Sequence, residues 1–191
     1  MLKVMIVDND LERTSPLKQS LLDTGFDVIA HLDDTMNLDA ACCELQPDIV
    51  IIDTDSPSRD TLENICVMTM HAPRPIVMFT HDDDRAKIKS ATQAGVSAYV
   101  VGNIPNERLR PVIDAAVARF DEFKQLKAEL QEANLKLSDR KVIERAKGLL
   151  MKQRGIEEDE AYSLLRNMAM QKNMRIATLA DQVVEAAKLL F

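Results

Sequence analysis

Two groups of residues in this chain have the types and spacing for chemistry. In the N-terminal part, polar side chains follow short apolar runs: Asp8, Asn9 and Asp10 after residues 4–7, Asp53 and Asp55 after 49–52, Thr80 after 76–79, and Gly102 and Asn103 after 98–101. Clustered carboxylates perturb one another's ionisation, and can hold a divalent cation or a phosphoryl group where an ammonium neutralises the oxygens. In the C-terminal part, Ser138 to Ile156 holds Arg140, Lys141, Arg145, Lys147, Lys152 and Arg154 against Asp139 and Glu144, and Arg166, Lys172 and Arg175 follow. Clustered cations on helices are the electrostatic footprint expected of a protein that meets a phosphate backbone.

The elements that must position these groups are legible in outline. Apolar or β-branched runs at 4–7, 28–30, 49–52, 76–79 and 98–101 are strand-sized, and the spacing leaves room for a helix between each pair. Leu17, Leu21 and Leu22 before Gly25, and Ile88 and Ala91 before Gly95, read as helices with glycine stops. Five β/α units predict a doubly wound α/β domain with a five-stranded parallel sheet, its sites beyond the carboxyl ends of the strands.

After Pro111, as far as Leu137, there is neither Gly nor Pro. Ile113, Val117 and Phe120 form a stripe suited to closing a helix on the sheet, whereas Val112, Ala116, Phe123, Leu126, Leu130, Ala133 and Leu137 follow heptad spacing, broken at Arg119. The seam Phe123, Leu126, Leu130, Ala133 and Leu137 predicts a coiled-coil homodimer. Beyond it, apolar residues at helical spacing predict an all-α three-helix module, with breaks at Gly155 and near Asn173 and with Glu157 to Glu160 in the first turn of its second helix. Lys141, Arg145 and Lys152 share a face of the first helix, Arg140 and Lys147 lie seven apart, and Gly148 reads as a site of close helix packing.

Charge and composition narrow the function classes. Residues 1–137 carry 14 Lys and Arg against 23 Asp and Glu, whereas 138–191 carry 10 against 8, so an acidic body bears a mildly basic tail. No apolar run approaches a membrane span, and the N-terminus lacks the pattern of a secretory signal, so a cytoplasmic protein is expected. Cys42, Cys43 and Cys66 fit neither a disulfide framework nor a zinc pattern, and His31, His71 and His81, read as surface or loop histidines, have no metal spacing.

The arrangement over residues 1–119 resembles the receiver domain of two-component response regulators. The resemblance implies that Asp8 and Asp10 form the acidic pocket, that Asp53 is the phosphoacceptor position, and that Thr80 and Tyr99 are the hydroxyl and aromatic switch positions. Asn9 stands where a second acid is usual and Gly102 where a lysine would pair with the phosphoryl group. Both losses weaken phosphotransfer, so phosphorylation of Asp53 is not the expected switch, and magnesium at the pocket is disfavoured; no cofactor and no metal site are expected. Asp53-Thr54-Asp55-Ser56 also resembles the D-x-D motif of haloacid-dehalogenase-type phosphatases, in which the first Asp is a nucleophile and the second a general acid. That chemistry needs a lysine and a later acidic pair, and Asp82, Asp83 and Asp84 have no lysine at the right strand end, so a non-enzyme is expected.

The tail carries the more specific resemblance. Residues 140–151 (RKVIERAKGLLM), 160–166 (EAYSLLR) and 176–180 (IATLA) look like the ANTAR domain of transcription antiterminators, and the full chain looks closest to the nitrate-assimilation members, the NasT type. The resemblance implies binding to tandem RNA hairpins in nascent leader mRNA, which prevents a terminator from forming, and control of nitrate or nitrite assimilation genes through a nitrate-binding sensor protein (NasS-like). Lys147 and Arg166, inside the motif, are the leading RNA contacts. The competing reading, a DNA-binding response regulator, needs basic or amide residues at the start of a recognition helix, where this chain has acids. A protein-only adaptor docking through the coiled coil is the third reading. The expected organisation is a receiver-like (pseudo-receiver) domain at 1–119, a coiled-coil linker helix at 120–137 and an ANTAR RNA-binding domain at 138–191.

Overall fold

A computed structural model describes residues 1–8, 11–33 and 37–190. Asp10, expected in the acidic pocket, lies outside the described residues. The chain divides into two compact units, Met1–Lys124 and Gln125–Phe191.

The first unit alternates strand and helix: β1 (Lys3–Val7), α1 (Leu11–Asp23), β2 (Asp27–Leu32), α2 (Leu38–Leu45), β3 (Ile49–Asp53), α3 (Arg59–His71), β4 (Ile76–Thr80), α4 (Arg85–Ala94) and β5 (Ala98–Val101), followed by the start of α5 (Asn106–Arg154). The strands form one parallel five-stranded sheet in the order β2-β1-β3-β4-β5. Side chains alternate across each strand, and here both faces are apolar. Met5, Val7, Val50, Ile52, Ile76 and Met78 pack with Leu38 and Cys42 of α2, Ile65 and Met68 of α3 and Ala91 of α4. On the other face Val4, Ile6, Ile49, Ile51, Val77 and Phe79 pack with Leu21 of α1 and with Leu109, Ile113 and Ala116 of α5. The doubly wound expectation is met.

Helix ends follow local chemistry. Asn37, Ser58 and Asp84 cap α2, α3 and α4, each side chain accepting a backbone N–H of the first turn. Gly95 ends α4 at φ +112°, and a β-carbon there would lie 2.7 Å from Thr69 Oγ1. Both the backbone and the neighbour therefore exclude a side chain. Cys42 is buried, and burial pushes its thiol up to about 11; all three cysteines are free. His31 lies half-buried in β2 rather than in a loop.

Helix α5 departs from the expected layout in two ways. The linker and the first helix of the tail are one continuous helix, because nothing between Pro111 and Arg154 breaks it except Gly148, a cost of about 1 kcal/mol that a long helix absorbs. Ala116 is buried in the sheet-facing core and Val112 packs against it, so these two heptad positions are spent within the first unit. Phe123, Leu126, Leu130 and Leu137 remain 53–64% exposed, and Ala133 is exposed as well.

In the second unit the C-terminal part of α5 packs with α6 (Glu158–Gln171) and α7 (Ile176–Leu190) around Ala146, Leu150, Ala161, Leu165, Ala169, Leu179, Ala180 and Val184. The chain turns at Gly155 (φ +66°) and Asn173 (φ +51°), where the sequence placed the breaks. Lys147 does not lie on an exposed cationic face. Its side chain is 8% exposed, and its ammonium donates to Glu144 Oε1 at 2.8 Å and to Glu158 Oε1 at 2.6 Å, joining α5 to the first turn of α6. The correction has a simple cause: the i, i+3 carboxylate of Glu144 and that of Glu158 at the start of α6 flank a lysine that faces the helix interface. Gly148 is also corrected, because it is exposed and no atom lies within 4 Å of where its β-carbon would be.

Two stability predictions follow from these contacts. Gly95→Ala should destabilise the first unit by about 1–3 kcal/mol through strain and the Thr69 contact, read as a lower urea midpoint at unchanged slope. Lys147→Ala should lower the melting midpoint of the second unit by about 5 °C, the effect of roughly 1 kcal/mol in a domain of this size. Hydrogen bonds to Glu144 and Glu158 hold the Lys147 ammonium above the ordinary lysine value, and Lys147 holds Glu158 below the ordinary carboxyl value. The wild-type advantage over Lys147→Ala should therefore be full at neutral pH. It should fade as pH falls from the ordinary Glu value through the lowered one, and again at strongly alkaline pH as the lysine deprotonates.

Candidate receiver pocket and nucleic-acid interface

The parallel register brings the predicted acidic site together at the carboxyl edge of the sheet. Val7 pairs with Ile52, Asp53 with Phe79, and Thr80 with Val101, so Asp8, Asp53, Thr80 and Gly102 end on one rim. Asp8 and Thr80 are buried and Asp53 is half-buried. A cavity of about 420 Å³ opens beside Asp53 and Thr80, lined also by Ser20, His81, Gly102, Asn103 and Asn106. Among the described residues no lysine or arginine lines it. Gly102 has room for a side chain, but its φ of +76° is a conformation that L-residues rarely adopt, so the backbone itself is built without the phosphoryl-pairing lysine. Among the described residues no three His, Cys, Asp or Glu side chains group as a divalent cation requires.

Thr80 and Tyr99, the expected switch positions, are tied into a different network. The Thr80 hydroxyl donates to the Asp55 carbonyl at 2.8 Å and accepts the Asp82 N–H at 3.2 Å. The Tyr99 hydroxyl, whose pKa burial pushes above the ordinary phenol value, donates to the Asp82 carbonyl at 3.0 Å. Lys87 of α4, which the sequence reading overlooked, donates to Asp82 Oδ2 and to Ser56 Oγ, each at 2.6 Å. The Ser56 hydroxyl donates in turn to Asp82 Oδ2 at 2.6 Å. The Lys87 hydrogen bond, then those of Ser56 and the Asp84 backbone, hold the Asp82 carboxyl well below the ordinary carboxylate range. The acidic run is thus not without a lysine: one turn of α4 supplies it, a proximity hinted at only by the short separation of Asp82 and Lys87 in sequence. His81 Nδ1 lies 3.7 Å from Asp55 Oδ1.

The second unit distributes its cations between structure and solvent. Arg140, Lys141, Arg145, Lys152 and Arg154 of α5, Arg166 of α6 and Lys172 at its end are exposed. Lys141, Arg145 and Lys152 share a face of α5 by helical spacing. Arg175 is exposed but donates to Asp139 Oδ2 at 2.6 Å, tying the start of α7 to α5. Packing of α7 on α5 also creates a groove that the sequence did not reveal, an apolar floor of Leu149, Val184 and Ala187 rimmed by Arg145, Lys152 and Lys188. Tyr162 is half-exposed on α6.

Comparison with known proteins agrees with this division. The response regulator receiver domain matches residues 4–114, and the ANTAR domain matches residues 128–184. The chain is 29% identical over 183 residues to the transcriptional regulatory protein PdtaR of Mycobacterium tuberculosis, covering 96% of this chain and 89% of that one. It is 42% identical to the nitrate regulatory protein of Klebsiella oxytoca over 59 residues, 31% of this chain and 15% of that one. The full-length likeness is therefore to PdtaR, and the nitrate likeness is confined to less than a third of the chain. Among solved structures, the receiver domain of a modulated diguanylate cyclase from Desulfovibrio desulfuricans superposes with a TM-score of 0.55 at 20% identity, covering 63% of this chain and 97% of that one, a likeness of fold. The parallel sheet with its acidic rim and the three-helix unit that follows are thus the two parts of one known design: the chain belongs to the response regulators, as a receiver domain joined to an ANTAR domain.

Proposed function

We propose that this protein is an RNA-binding transcription antiterminator of the cytoplasm, which binds tandem hairpins in nascent leader mRNA and keeps a terminator from forming. The observation that carries the reading is the exposed cationic face Lys141, Arg145 and Lys152 on α5, within the ANTAR match of an otherwise acidic chain. Exposed cations meet phosphate, and unstacked loop bases supply the sequence to be read. With Lys147 committed to Glu144 and Glu158, the proposed contacts are Arg140, Lys141, Arg145, Lys152, Arg154, Arg166 and Lys172, with Arg175 available on release from Asp139. A DNA-binding reading draws no support from α6, whose first turn is Glu158, Asp159 and Glu160.

The proposed organisation is a receiver-like domain at 1–119, a coiled-coil linker at 120–137 and the RNA-binding domain at 138–191. Phe123, Leu126, Leu130, Ala133 and Leu137 form the dimer seam in this reading, because large apolar side chains left exposed at heptad spacing are what a second copy would cover. A dimer presents two RNA-binding domains to two hairpins, and the second contact gains from effective concentration. Without a lysine at the pocket, regulation is assigned to a sensor protein acting on the receiver-like domain. Control of nitrate or nitrite assimilation through a nitrate-binding sensor rests on the family resemblance and on the partial likeness to the nitrate regulatory protein.

Full-length protein should bind a two-hairpin leader RNA more tightly than duplex DNA of the same sequence across a salt series. Arg145→Ala and Lys152→Ala should each weaken binding and lower the salt slope by about one; equal affinity for DNA would overturn the assignment. Sedimentation should give a dimer at micromolar concentration, and Leu130→Asp a monomer with weaker two-hairpin binding. Asp53→Asn should leave RNA affinity and its control unchanged, measured with a transcription readthrough assay in cells; lost control would make Asp53 the switch.

A further inference from the structure

Gly148 stands in the interior of α5, where glycine disfavours the helix, yet no packing requires it: the space around its missing side chain is open. By helical spacing it shares a face with Arg145 and Lys152, three residues before it and four after, and those two residues line, with Leu149, the groove between α5 and α7 that Gly148 borders. That groove has a volume of about 660 Å³, within the span of small-molecule sites. Its floor is Leu149, Val184 and Ala187, and its rim is Arg145, Lys152 and Lys188. Lys188 donates to Glu185 at 2.7 Å, whereas Arg145 and Lys152 have no ion-pair partner among the described residues.

An apolar floor ringed by cations suits a ligand that is flat and apolar at its centre and anionic at both sides. An unstacked nucleotide has that form, with a base to bury and phosphates on either side. We propose that this groove is the seat for one extruded loop base of the RNA, with Arg145, Lys152 and Lys188 on the flanking phosphates and with Gly148 kept free of a side chain so that the RNA backbone can lie against α5. The inference rests on the RNA-binding reading above and assigns it a subsite, with Val184, Ala187 and Lys188 as residues that no motif marked.

The test uses full-length protein, a pool of RNA hairpins with randomised short loops, and a blunt RNA duplex built from the same stem. Gly148→Ala should raise the melting midpoint, because alanine favours the helix, while weakening hairpin binding about tenfold and leaving duplex binding unchanged. Ala187→Met, which fills the floor, should do the same to hairpin binding. With 2-aminopurine placed at each loop position of a selected hairpin, one position should change fluorescence on binding to wild type and not to Ala187→Met. Should Ala187→Met fail to fold, Gly148→Ala decides alone. A stabilised Gly148→Ala protein that binds hairpins like wild type overturns the subsite while leaving RNA binding intact, and would give the groove to a protein side chain instead. A wild type that binds hairpin and duplex alike overturns the reading on which the subsite rests, a distinguishable result.

Discussion

The constraint on which the first unit depends is that both faces of its parallel sheet must be covered. Val4 and Ile6 point to one side and Met5 and Val7 to the other, and both sets are fully buried. Helices α1 and α5 take one side and α2, α3 and α4 take the other. With both faces closed, the strand ends are the places where polar side chains reach solvent without breaking the core. That is why Asp8, Asp53, Thr80 and Gly102 share a rim although they are spread across the sequence. Parallel pairing sets their alignment, since every strand enters from the same side.

The rim carries glycine, not lysine, at the end of β5. At the end of β5, where a lysine would face the phosphoryl group, the backbone takes a left-handed turn at Gly102. The ammonium near this end of the sheet comes instead from Lys87, and it is engaged with Asp82 and Ser56 rather than facing Asp53. The Thr80 and Tyr99 hydroxyls are likewise committed to backbone carbonyls of the loops beside them. The network thus ties the loops after β3 and β4 together.

In the second unit the cationic side chains do two kinds of work, and a carboxylate partner separates them. Lys147 and Arg175 hold helices together through Glu144, Glu158 and Asp139. Arg145 and Lys152 are exposed with no such partner among the described residues, so their charge remains available to an anion. A short domain with a core made largely of alanine and leucine gains from ion pairs that fix helix order. Cations not used that way remain available for binding.

By itself the sequence determined the strands, the parallel α/β class, the breaks at Gly155 and Asn173 and the acidic residues at strand ends, because each depends on local periodicity or turn chemistry. It also carried the family, through motifs dense enough to be recognised. What only tertiary structure decided were the matters of which side chain meets which. Lys147 reads as one more cation in a basic run, and its link between helices appears only when Glu158 at the start of α6 is brought beside it. Ala116 fits the heptad seam in sequence and the sheet core in space, because a helix that serves two partners changes its buried face along its length. Gly148 reads as a packing glycine until its surroundings prove open. The Lys87 network and the groove between α5 and α7 join residues on separate turns or helices, and such contacts leave little periodic trace in a sequence.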